Sequence, residues 1–189
     1  MPTTSIAKQW ETCGAFHPRP RKRRRFMRPI PARSGQSAID QLSFTQKVSM
    51  SHRDPFDVIS STVDLDDPVE HGDAQRFMVN ALARVIECLP VTAQSSVLAA
   101  KRYLEGAATD SEALAVRVRL WETIRGRDMS DDPEVLRIRT TICALHGMDA
   151  EAPYDKLEYF LFFWERSGLS MVELAGAMFD TYGVVYHDG

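Results

Sequence analysis

From about residue 68 onward, apolar residues recur three and four positions apart, which is the period of amphipathic helices. Asp67 before Pro68 reads as an N-cap with proline at the first helical position. Phe77, Leu82, Val85, Ile86 and Leu89 then predict a first helix over 68–89, stopped by Pro90. A second helix starts near Val91 or Thr92, carries Val97, Leu98, Tyr103 and Leu104, and ends at Gly106 as a left-handed cap. Thr109-Asp110-Ser111-Glu112 is a capping box that opens a third helix over 110–125. Leu114, Val118 and Trp121 line one of its faces, with Val116, Leu120 and Ile124 beside them. Asp131-Asp132-Pro133-Glu134 opens a fourth helix whose stripe is Val135, Ile138, Ile142 and Leu145, closed by Gly147. A fifth begins at Pro153 or Tyr154. Its stripe is Leu157, Phe160, Leu161 and Trp164, and Tyr159, Phe162 and Phe163 cover much of the rest. A helix apolar nearly all round belongs at the centre, so this one is expected in the middle of the core. Ser170-Met171-Val172-Glu173 is a second capping box, opening a sixth helix through Val172, Ala175, Phe179 and Tyr182 to Gly183.

Residues 50–67 read as loop with a short turn at 55–59, and residues 184–189 as a C-terminal tail. No alternating pattern supports a strand ladder, and the connections between helices are short, as in bundles. The predicted fold class is all-α: a single compact bundle of about six helices over 68–183, behind a basic N-terminal tail.

Charge divides the chain at about residue 50. Residues 1–49 hold ten Lys and Arg against Glu11 and Asp40, while the rest holds 13 basic and 24 acidic residues. The tail also carries five of the ten prolines, too little apolar surface to offset ordering entropy, and is expected to be disordered. Its Arg21, Lys22, Arg23, Arg24 and Arg25 are candidate nucleic-acid-binding residues or a nuclear address, and its shortage of acids resembles a transit peptide. The composition changes at Met50, which marks that residue as a candidate natural start. Arg24-Arg25 is not an export signal, because the apolar run such a signal needs is replaced by Met27-Arg28-Pro29-Ile30-Pro31. Three dispersed cysteines favour a reducing compartment. No apolar run reaches the roughly 20 residues that span a bilayer, so a cytoplasmic location is expected.

Candidate chemistry is thin. Cys143 and His146 sit three apart on the fourth helix, but a tetrahedral metal site needs two further ligands, and a Cys–His catalytic pair needs a third orienting group. No phosphate-cradling glycine loop, nucleophile elbow, zinc helix or dinucleotide fingerprint is present. No catalytic residue, cofactor or metal is therefore expected. Arg117, Arg119, Arg137 and Arg139 are expected on solvated flanks, paired with Glu112, Glu122 or Glu134, since members of an x-R-x-R pair point about 200° apart. The aromatic surplus of the fifth helix is the stronger signal. Tyr154, Tyr159, Phe163 and Trp164 are candidate partner-binding residues, because aromatic anchors carry interface energy.

Ala100, Tyr103, Gly106, Ala108, Thr109, Glu112 and Leu114 give residues 97–124 a cadence that resembles a helix-to-helix junction of small all-helical bacterial proteins. Some of those are of the immunity type that neutralises a toxin. Many others have no assigned role, so the resemblance implies an all-α fold, and no functional residue is carried over from it. The leading expectation is a non-enzymatic domain that binds a protein partner, with immunity-type masking of a basic partner as its concrete form. The alternatives are a helical enzyme or ligand-binding domain with a pocket among Trp121, His146, Tyr159 and Trp164, and nucleic-acid binding through the tail. No membrane association is expected.

Overall fold

In the computed structural model, short polar caps at Asp54, Thr109, Asp132 and Ser170 start four of the described helices. The structure describes residues 54–64, 67–145 and 153–186, with the side chains of residues 68, 69, 153 and 154 outside the description. Among the described residues there are seven α-helices and no strand: α1 (Pro55–Thr62), α2 (Pro68–Arg84), α3 (Val91–Leu104), α4 (Asp110–Thr123), α5 (Pro133–Ala144), α6 (Pro153–Arg166) and α7 (Met171–Tyr182). All of them fall within one unit, Lys47–Gly189. The protein is all-α, and none of the described helices is long and apolar enough to cross a membrane.

Two boundaries differ from the sequence expectation. Residues 50–67 are not all loop, because α1 forms within them. The Asp54 carboxylate accepts the Phe56 N–H at 2.9 Å and Pro55 stands at the first helical position, the same cap-then-proline grammar as Asp132-Pro133. Its core anchor is Ile59, and two turns with one buried residue are too short to show a period. The first long helix ends at Arg84 rather than residue 89. The chain tightens into a 3-10 turn at Ile86–Cys88, followed by the buried Leu89.

Two helices hold the bundle together. α2 packs against α3, α5, α6 and α7, while α5 packs against α2, α3, α4 and α6. The centre of the core therefore lies on α5, not on the aromatic α6 as its composition predicts. Eight of the twelve α5 residues are buried. Its small polar residues make this practicable. Thr140 and Thr141 donate their hydroxyls to the Leu136 and Arg137 carbonyls at 2.8 and 3.0 Å, so neither carries an unmet bond inward. Buried Gln75 of α2 donates to the Ala144 carbonyl at 3.2 Å, closing the C-terminal end of α5 against α2. α4 touches only α3 and α5 among the helices with substantial packing, and buries Ala113 and Leu120 within the helix and Ile124 at its end.

The apolar stripes fare unevenly. Those of α5 and α6 are buried as predicted. On α4 the inward face belongs to Ala113, Leu120 and Ile124, and Leu114 is exposed; on α3, Leu98 is exposed. On α7 the inward residues are Leu174, Ala177 and Met178, while Val172 and Phe179 face solvent at 76% and 56% exposure. Where apolar residues occupy more than one face of a helix, spacing alone does not say which face the neighbours cover.

Candidate partner-binding surfaces

The aromatic residues of α6 divide between core and rim. Trp164 is fully buried, and its indole N–H donates to the Ser170 carbonyl at 3.3 Å. Phe160 lies beside it at 5.6 Å between ring centroids and meets Phe77 of α2 edge-on at 5.9 Å. Phe163 is buried at 5% exposure. Trp164 and Phe163 thus belong to the packing, and the partner-binding role expected of them has no accessible surface to rest on. Tyr159 is half-buried, stacked on Phe163 at 5.9 Å with the ring planes 13° apart. Burial, followed by the charges of Asp155 and Glu158, raises its hydroxyl above the ordinary tyrosine range. Tyr154 opens α6 through its backbone, and its side chain lies outside the description.

Two arginines close this aromatic face. The Arg139 guanidinium of α5 lies 4.1 Å from the Phe163 centroid, and that of Arg166 lies 5.3 Å from Phe162. Arg166 also pairs with Asp131 at 2.8 Å. Such cation–π contacts satisfy the ring faces locally, which leaves Phe162, exposed at 36%, as the open edge of the cluster. The x-R-x-R arginines on α5 are therefore not merely solvated. Arg139 covers a ring, and Arg137 donates to the Cys88 carbonyl at 2.9 Å and the Ser167 carbonyl at 3.3 Å, tying the turn after α2 and the end of α6 to α5. On α4, burial pulls Arg117 below the ordinary arginine range.

The outer face of α7 is built differently. Ser170 caps it by accepting the Glu173 N–H at 3.4 Å, but the predicted box is not closed. The Glu173 carboxylate turns to α2 instead, where it accepts from Arg84 Nη1 at 3.2 Å. Arg84 Nη2 donates to Asp180 one turn pair further on, at 2.6 Å. These hydrogen bonds, Asp180 first, raise Arg84 further above its already high value. Gly176, between the two carboxylates, makes the arrangement fit. A Cβ there would meet Arg84 Nη1 at 2.8 Å and Cζ at 3.0 Å. On the other flank of α7, the Tyr182 ring packs on Phe77 at 5.6 Å. Its hydroxyl is buried without a hydrogen-bond partner among the described residues, and burial, with Asp73 and Glu70 nearby, raises it.

Cys143 is buried in α5, where burial pushes its thiol up to about 12; His146 lies outside the described residues. Trp121 is half-buried at the edge of the core. Among the described residues, no group of three or more His, Cys, Asp or Glu is gathered to hold a metal. Arg21, Lys22, Arg23, Arg24 and Arg25 lie outside the described residues. In the stretch 97–124 the quoted residues build the α3–α4 joint. Gly106 takes φ of +71°, which a residue with a Cβ adopts only with strain. Tyr103 donates to Asp110 at 2.6 Å. Thr109 and Glu112 close a full capping box, with the Thr109 N–H on the Glu112 carboxylate at 2.7 Å, and that bond holds Glu112 below the usual carboxylate range. Sequence reading missed the α7 face because its residues were assigned to the core and to a cap. Compared with protein-family models, curated proteins and solved structures, the chain finds no match.

Proposed function

We propose that the protein works by binding another protein, with no chemistry of its own, and that its partner is basic. The observation that carries this reading is large apolar side chains standing in water on an acidic body. Val172, Phe179, Leu98 and Leu114 are exposed in a part of the chain where 24 acids face 13 bases. Exposed apolar anchors supply affinity, and an acidic field steers basic partners onto them. Immunity-type masking of a basic toxin is the concrete form this takes, in line with the resemblance of residues 97–124. The test is affinity capture by the full chain in its native cells at low and high salt, with mass-spectrometric identification. A basic protein should co-purify stoichiometrically and be lost as salt screens the attraction. A neutral or acidic partner held regardless of salt overturns the reading.

A second reading rests on the ten Lys and Arg of residues 1–49, whose density suits phosphate contacts. If that reading holds, removing residues 1–49 abolishes binding to nucleic acid and leaves capture of the basic protein intact.

A further inference from the structure

α7 carries two parallel rows. Val172 and Phe179 are seven residues apart, hence on one line of the helix to within about 20° and about 10 Å apart along it. Glu173 and Asp180 form a second line with the same spacing, offset by one residue and so about 100° round the axis. The core-facing residues Leu174, Ala177 and Met178 occupy the opposite side. α7 contains no Lys or Arg at all.

Arg84 organises the acidic row without using it up. It engages Oε2 of Glu173 and Oδ2 of Asp180, one oxygen of each carboxylate. The side chains of Glu173 and Asp180 are 40% and 51% exposed against 36% for Arg84, so the carboxylates stand nearer solvent than the cation between them. Two negative charges over one positive leave the row net negative. Both carboxylates already sit in fixed rotamers, so the entropy of ordering them is lost on folding rather than on association.

We infer that the outer face of α7 is the docking surface, and that its occupant is a basic amphipathic helix of the partner protein. Its cationic side chains take the second oxygens of Glu173 and Asp180, and its apolar side chains seat on Val172 and Phe179. A helix lying along α7 repeats the seven-residue spacing of both rows, and no other described helix presents exposed apolar and acidic rows in this register. The inference rests on the protein-binding reading above and adds the site and the chemistry of what fills it.

The probe is a synthetic Leu/Lys/Arg helix-forming peptide about five turns long, titrated into isotope-labelled full chain and followed by amide shifts. A scrambled peptide of the same composition serves as control. Shifts are expected on 171–182 and at Arg84, with the scrambled peptide at least tenfold weaker. Phe179→Asp should weaken binding at least tenfold at unchanged melting temperature, and the double variant Glu173→Gln, Asp180→Asn should flatten its salt dependence. Shifts confined to other helices, equal binding of the scrambled peptide, or wild-type affinity in Phe179→Asp each overturn the assignment. If Phe179→Asp still captures the native basic partner at full strength, the α7 site fails while the protein-binding reading stands.

Discussion

α6 and α7 are consecutive helices of similar length, each rich in large apolar side chains, and they dispose of them in opposite ways. α6 turns Leu157, Phe160, Leu161, Phe163 and Trp164 inward, with the Arg139 guanidinium over Phe163 and that of Arg166 over the exposed Phe162. α7 turns only Leu174, Ala177 and Met178 inward and leaves Val172 and Phe179 in water. Its arginine contact, from Arg84, goes to carboxylates beside the apolar row and not to the row itself. The aromatic surplus that first suggests a binding surface on α6 is therefore mostly a packing surplus, whereas packing does not explain the less conspicuous apolar pair on α7.

Truncation should separate the two helices most sharply. Trp164→Ala removes a fully buried ring and the partner of the Ser170 carbonyl, and is expected to cost about 3–5 kcal/mol. Phe179→Ala, of similar chemistry but on the open face, should change stability by less than about 0.5 kcal/mol. Chemical denaturation of both variants checks the contrast. A loss of several kcal/mol for Phe179→Ala would mean that α7's outer row is part of the core after all.

The α5–α6 side should also be sealed against base. The Cys143 thiol stands at about 12 in the folded protein against an ordinary 9. Below pH 9 it is protonated whether the chain is folded or not, and contributes no pH dependence. Between pH 9 and 12 the unfolded chain releases a proton that the native state retains, so stability falls as pH rises, by up to about 1.4 kcal/mol per unit. Cys143→Ala should show a correspondingly shallower alkaline decline. Identical declines in the two proteins would place solvent at Cys143.

Much of this was legible in the sequence, for identifiable reasons. Helix starts were readable because caps are local: Thr109 and Glu112 bond to each other, and Asp132 bonds two residues on. The same grammar misled at Ser170, where the cap formed but Glu173 found a stronger partner 89 residues away in Arg84. A motif reports what its residues can do locally, and a distant cation can outbid it. The stripes of α5 and α6 were readable because neighbouring helices cover most of the apolar lines on both, so little choice among faces was needed. The faces of α4 and α7 were not, since choosing among several apolar lines needs the positions of neighbouring helices. α1 escaped because Ile59 is its only buried residue.

Gly176 gives the finest test of how α7 is held. In a helix interior, replacing glycine by alanine stabilises by about 1 kcal/mol. Here the new Cβ would press on Arg84 Nη1 at 2.8 Å, so the guanidinium must lift away from Glu173 or Asp180. Those pairs are more than a third exposed, and after solvent screening each contributes about 0.2–1 kcal/mol. The two effects oppose each other at similar size, so Gly176→Ala alone should be close to neutral. In an Arg84→Ala background nothing remains to displace, and the same substitution should stabilise by the full amount of about 1 kcal/mol. The coupling between the two positions, read from a double-mutant cycle, thus measures the clasp directly. Additive effects at Gly176 and Arg84 would mean that the guanidinium does not rest across α7 in solution, and the acidic row beside Val172 and Phe179 would lose its fixed geometry.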